Sequence, residues 1–210
     1  MKKELALDNW NRKEHFQFFS RFEEPFFGLV VNMDCAKAYK KAKAENLPFY
    51  LYYLYLSLKA VNEMESFRYR IEEDKVICYD TIHASPTVLR DDKTFGFAFL
   101  PYQPTFGEFL TFANQAIQIV KATSGLCLTD NTGRVDVIHF SSIPWVSFTG
   151  LTHARSFTFK DSVPKISFGK YFWEQDKLWL PVSITVHHGL MDGYHVGEYL
   201  TTFQELLNQA

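Results

Sequence analysis

Apolar side chains recur along this chain in two alternating periods. From Phe27 to Met33 the run FGLVVNM is dense in bulky apolar residues, which predicts a strand. Asp34 then stands where it can cap a short helix to about Glu45, whose Lys and Ala positions suit an exposed face. Pro48 is tolerated in a first helical turn, and the apolar run behind it predicts a helix to Met64. Arg68–Ile71 and Lys75–Tyr79 flank the polar triplet EED and read as a β-hairpin, with further strands at Thr87–Leu89 and Thr94–Tyr102. A helix is expected from about Thr105 to Ala122, carrying Phe106, Phe109, Leu110, Phe112, Ile117 and Ile119, and Ser124-Gly125 stops it. After a loop at Asp130–Gly133 the second half is strand-rich: Val135–Ser141, Ser156–Phe159, Ile166–Phe168, Lys177–Trp179 and Val182–His188. The last helix, Tyr194–Asn208, sets Val196, Tyr199, Leu200, Phe203, Leu206 and Leu207 at helical spacing. No repeat or linker divides residues 1–210, so the pattern predicts one α/β domain with a large mixed sheet and helices packed on it.

Composition narrows the possible partners. Hydrophobic residues make up 47% of the 210 positions and aromatics 17%, enough for one large core and too many for a disordered chain. A net charge of −2 gives no basic field for nucleic acid or an anionic membrane. The most hydrophobic run, Leu47–Val61, is short for a bilayer and studded with Tyr, so no membrane association is expected. Met1-Lys2-Lys3-Glu4-Leu5 lacks the apolar core of a signal peptide. Cys35, Cys78 and Cys127 are odd in number and have no CxxC spacing, which suits a cytoplasmic location.

The chemistry concentrates in PVSITVHHGLMDGYHVGEYL, Pro181 to Leu200. On a strand His187 and His188 point to opposite faces and do not easily share a metal. His188, Asp192 and His195 alone lack the further ligands that a closed shell needs, so no metal is expected. One reading makes Asp192-Gly193 a turn and helix cap with the histidines filling the core. The other makes one imidazole, with an unperturbed pKa near 6.5, a general base toward a hydroxyl or thiol. On that reading Asp192 holds the turn through a charge-assisted bond, and Arg12 in WNRKEHF is the candidate cation.

Here HHGLMDGYHVG resembles the HHxxxDG signature of acyl-CoA-dependent acyltransferases, in the HHAVCDGFHVG form of the type A chloramphenicol acetyltransferases. The resemblance extends along nearly the whole chain. WNRKEHFQFF at Trp10 is similar to the family's WxRxEHF, and FRYRIEEDKVICYDTIHASPTV at Phe67 to its FRMxxxDxELxxWDSVxPxxTV. TFGFAFLPY at Thr94, SSIPWVSFTG at Ser141 and VPKISFGKYF at Val163 match further family motifs in the same order. The resemblance implies a two-layer sandwich that assembles as a homotrimer with active sites between subunits, and acetyl-CoA as co-substrate. It implies His188 as general base toward the hydroxyl of a small-molecule acceptor, chloramphenicol first, and His187 as its non-catalytic neighbour. Asp192 paired with Arg12 would hold the turn, Ser141 would stabilise the oxyanion, and Ser167, in place of a Thr, would support the site. Trp145, Lys170 and Tyr171 match the CoA channel, although Trp145 also reads as core packing and Lys170 as a solvated strand residue. Phe19 and Phe95 match aromatics of the acceptor pocket.

The acceptor pocket departs from the family in places. His139 stands where some members have Asn, and His153 and Arg155 where well-known members have Leu and Val. Polar groups on a pocket wall penalise an apolar ring unless they find partners, unless the loop instead turns them to solvent. His139 and His153 are therefore counted with the acceptor-binding residues. FEEPFF (Phe22–Phe27) also departs in detail. Three other readings stand beside chloramphenicol acetylation. The same chemistry could act on another hydroxylated small molecule. A dihydrolipoamide acyltransferase core is a second, but His187 and Gly189 replace the Asp and Arg of its DHRxxDG motif. A binding protein without turnover is a third, disfavoured by His188, Asp192, Arg12 and Ser141 occurring together.

Overall fold

Strict alternation in the strand nearest the histidine motif organises the molecule, of which the computed structural model describes residues 1–209. The elements in order are β1 (Lys2–Glu4), α1 (Lys13–Phe19), β2 (Phe26–Asp34), α2 (Ala36–Ala44), α3 (Phe49–Glu63), β3 (Tyr69–Glu72), β4 (Lys75–Tyr79) and β5 (His83–Leu89). Then come β6 (Phe95–Phe97), α4 (Phe106–Ala122), β7 (Val137–Ile143), β8 (Lys165–Gly169), β9 (Phe172–Glu174), β10 (Lys177–His187) and α5 (Gly193–Gln209). In β10 the even positions Leu178, Leu180, Val182, Ile184 and Val186 are all buried without exposure, while Ser183, Thr185 and His187 take the other face. Register carries that division across the sheet. Ile184 pairs with Ile166 of β8, which pairs with Phe140 of β7.

The main sheet runs β2-β10-β8-β7-β5-β6, with β9 attached to β10. It is mixed, since β5, β7 and β8 are mutually parallel and the other pairings are antiparallel. Its apolar face and helices α2, α3, α4 and α5 form one continuous core, the helix side supplied by residues such as Leu54, Leu58, Phe109, Tyr199 and Phe203. The opposite face carries Ser85, Thr87, His139, Ser141, Lys165, Ser167, Ser183 and Thr185. A small sheet, β1-β4-β3, closes the N-terminal side. Arg70 on β3 is fully buried and donates to the carbonyls of Phe67, Tyr69, Val135 and Val137, which ties this sheet to the start of β7.

Several elements differ from the sequence expectation for identifiable reasons. Lys177–Trp179 and Val182–His188 are one strand, not two. Pro181 is accommodated because β9 pairs only with residues 177–179 and β8 only with 182–185, so the proline falls at a gap in the ladder. The hairpin turn is Glu73-Asp74 alone, both with positive φ (49° and 66°), because β3 continues through Glu72. Asp34 precedes the cap position, yet its carboxylate still accepts from the Ala36 N–H at 3.1 Å. Ser156–Phe159 is not a strand. It is irregular chain that pairs with no strand, and Phe157 and Phe159 are 68% and 65% exposed.

Candidate active site

His188 begins the turn between β10 and α5, where the strand stops because backbone groups find other partners. Its N–H donates to the Pro25 carbonyl at 2.8 Å, and its own carbonyl accepts from Arg12 Nη2 at 3.1 Å. The ring stacks on Phe19 (centroids 4.0 Å apart, planes at 11°) and lies 4.6 Å from Phe27. Nδ1 is enclosed without a hydrogen-bond partner among the described residues. Nε2 is not among the enclosed atoms, so the ring presents that nitrogen outward. His187 points the other way, into the protein. It is buried against Phe26, and burial, followed by the Arg155 charge, pushes its pKa down to about 4. Its Nδ1 accepts from Gly189 N–H at 3.1 Å, and a Cβ on Gly189 would come within 3.0 Å of that ring, so the tight HHG turn needs the glycine.

Asp192 does not touch His188. Its Oδ2 accepts from Arg12 Nη1 at 2.5 Å, and its Oδ1 lies 2.9 Å from His195 Nδ1 and accepts from the Tyr194 N–H at 3.0 Å. Burial raises the carboxyl pKa, but hydrogen bonds from Arg12 and His195 outweigh it and bring it down to about 2. Arg12, buried just before α1, therefore bridges both ends of the turn, holding the Asp192 side chain and the His188 carbonyl.

A second group lies on the polar face of the sheet, around a cavity of about 760 Å³. Ser141, Ser167, His139, His153 and Phe95 all line it. Ser141 and Ser167 are register partners, and Ser167 is in turn the partner of Ser183 on β10. His153 Nε2 lies 3.0 Å from Ser167 Oγ. His139 opens onto the cavity, and desolvation by the protein around it, followed by the Lys165 charge, pushes its imidazole down to about 4. Burial and Lys165 lower His153 as well. Arg155 turns from the cavity, pairing with Glu24 and stacking 3.7 Å over Phe26. Sequence reasoning missed the Lys165–Asp161 ion pair (2.5 Å) in the cavity wall, its side chains only 8% and 14% exposed. A Lys inside the strand-like run KISFG was the available signal, since such a position is otherwise apolar.

A third group, Trp145, Lys170 and Tyr171, is exposed. Trp145 is 64% accessible, which overturns core packing as its role. Lys170 N–H donates to the Val146 carbonyl at 2.8 Å, and Ser147 Oγ to the Lys170 carbonyl at 2.7 Å, so the loops after β7 and β8 are tied together beneath these side chains.

The three groups do not all meet in one chain. Ser141 is in register, through Ser167, with Ser183, five residues before His188. At about 3.3 Å per residue and 4.8 Å per strand, His188 and Ser141 lie roughly 15–20 Å apart.

Comparison with known proteins gives one family. The family model described as "Chloramphenicol acetyltransferase" matches residues 2–204. A chloramphenicol acetyltransferase of Bacillus pumilus is 30% identical over 204 residues, covering 97% of this chain and 92% of the relative. Chloramphenicol acetyltransferase 3 of Escherichia coli is also 30% identical over 204 residues, covering 96% and 95%. A solved chloramphenicol acetyltransferase structure superposes with a TM-score of 0.91 at 30% identity, over 99% of this chain and 100% of that one. A probable dihydrolipoamide acetyltransferase of Listeria monocytogenes shares the fold, with a TM-score of 0.63 at 14% identity over 99% of this chain and 94% of that one.

Proposed function

The chain belongs to the chloramphenicol acetyltransferase family, and from that premise we propose that it transfers the acetyl group of acetyl-CoA to a hydroxyl of chloramphenicol, with His188 as general base. The observation that carries the base assignment is the setting of its ring. The Pro25 and Arg12 bonds hold the backbone on both sides, Phe19 holds the face, and Nε2 is left outward. His187, buried and acidified, is unsuited to the role. Nε2 of His188 takes the acceptor's proton as its oxygen attacks the thioester carbon. The resulting oxyanion accepts a hydrogen bond from the Ser141 hydroxyl. Collapse breaks the carbon–sulfur bond, and the leaving CoA thiolate takes from His188 the proton that came from the acceptor. Asp192 and Arg12 hold the turn without forming a triad. Trp145, Lys170 and Tyr171 receive CoA. Their exposure on loops tied together supports that role.

We assign the working unit as a homotrimer. Its support is the separation of His188 from Ser141 in a single chain, which a neighbouring copy offering its own Ser141 face to His188 removes. Phe159, exposed at the cavity wall, and the exposed Phe157 two residues before it supply apolar surface for that contact. The polar floor of the cavity favours a second reading, the same chemistry on a more polar hydroxylated acceptor.

The test mixes purified protein, acetyl-CoA and chloramphenicol and follows free thiol, with His188→Ala as control. Acceptor-dependent release that falls by about 10²-fold or more in the variant is expected for loss of a general base. Wild-type release by His188→Ala refutes the base, and acetyl-CoA binding without release moves the acceptor to the second reading. Light scattering at three times the monomer mass is expected, and a monomer that transfers acetyl at full rate refutes the shared site.

A further inference from the structure

The cavity beside Ser141 supports an inference about acceptor choice, one that rests on the acetyl-transfer reading. Its charged side chains are all paired. Lys165 is held by Asp161, Arg134 by Asp136, Lys160 by Asp74, and His153 by Ser167. With every charged group there matched by an opposite one, the cavity has no free charge to offer. His139 has no such partner, and beside it the Ser85 and Ser141 hydroxyls and the second ring nitrogen of His153 are also unpaired among the described residues. Both ring nitrogens of His139 are without a hydrogen-bond partner among the described residues, and the side chain is open to the cavity. It lies two residues before Ser141 on the same face of β7, a distance of about 6.6 Å along the strand. Ser85 and Lys165 flank it as register partners on β5 and β8.

We propose that His139 is a specificity-determining residue: it hydrogen-bonds a second hydroxyl near the one that is acetylated, so that the enzyme selects neutral diols over simple alcohols. A neutral imidazole has one N–H donor and one acceptor nitrogen, the complement of a hydroxyl. Burial and Lys165 keep His139 in that neutral form at physiological pH. An oxygen attacking an acetyl carbon whose oxyanion rests on Ser141 lies one side-chain length from His139. That span fits a hydroxyl two or three carbons away. Apolar side chains, among them Phe95, Phe97 and Val120, make the opposite wall and receive the remainder of the molecule. An acceptor without the second hydroxyl covers the imidazole and leaves it unpaired, and such a mismatch is what lets a polar site reject an analogue.

The experiment compares kcat/KM for chloramphenicol, which carries two hydroxyls, with its analogue lacking the hydroxyl that is not acetylated, in wild type, His139→Phe and His139→Ala. In wild type the analogue is expected to be worse by about tenfold or more, a modest fraction of the discrimination that hydrogen-bonding sites reach. In both variants the ratio is expected to shrink to within about threefold, with KM for acetyl-CoA unchanged, as a double-mutant cycle requires of two groups in contact. His139→Ala keeps the test open if His139→Phe does not fold. Equal use of the two acceptors by wild type overturns the inference, as does a tenfold ratio that survives in both variants. No thiol release by wild type with either acceptor takes down the acetyl-transfer reading itself, and the inference with it.

Discussion

Replacing Asp192 with Asn tests whether the histidine turn is held electrostatically. The substitution keeps the shape and an acceptor oxygen but removes the charge opposite Arg12, whose side chain is only 9% exposed against 34% for Asp192. A carboxyl brought from 3.8 to about 2 is worth about 2.5 kcal/mol at neutral pH by linkage. Because a third of the Asp192 side chain meets water, screening reduces that to about 1.5 kcal/mol. For a chain of this size that is a fall in Tm of about 3–6 °C. The sign in pH follows from a depressed carboxyl. The stabilisation is present above pH 3.8, declines below it and is lost as pH falls through 2. The gap between wild type and variant should therefore narrow to roughly half at pH 3. Urea unfolding of both proteins at pH 7 and pH 3 reads the gap directly. Acetyl transfer should fall with it, since Arg12 also holds the His188 carbonyl. An unchanged stability at pH 7, or a gap equally wide at pH 3, would refute the ion pair as the clasp of the turn.

Two further substitutions separate the remaining groups. Ser141→Ala removes the proposed oxyanion donor and should lower kcat by about 10²-fold with little change in either KM, as for other such donors; a kcat within threefold of wild type counts against the assignment. Trp145→Ala should raise KM for acetyl-CoA with kcat and Tm nearly unchanged, because a side chain 64% exposed contributes little to folding. A large loss of thermal stability instead would place Trp145 in an interface or a core.

Much of this protein was legible in its residues because the signals are local. Period-two and period-3.6 apolar spacing marked β2, both hairpin strands, α4 and α5, since each element has to bury one face whatever it packs against. The HHGLMDG spacing likewise pointed to a base, a turn and a carboxylate needing a cation. Family motifs in one order brought Arg12 to Asp192 across 180 residues, a pairing that no local pattern contains.

Other features depended on what the chain meets after folding. FTF at Phe157–Phe159 alternates like a strand, but it pairs with no strand and both Phe side chains stay exposed. Pro181 looked like a break, yet β10 runs through it because the neighbouring ladder is interrupted at that point. The sequence alone determined the α/β class, the adjacent histidines of the HHGLMDG motif and the family. Only the tertiary structure decided which histidine faces outward, that His153 Nε2 meets Ser167 while His139 opens onto the cavity, and that Lys165 is buried with Asp161. These outcomes turn on register and burial, which arise from contacts between segments far apart in sequence, and no window of residues contains them.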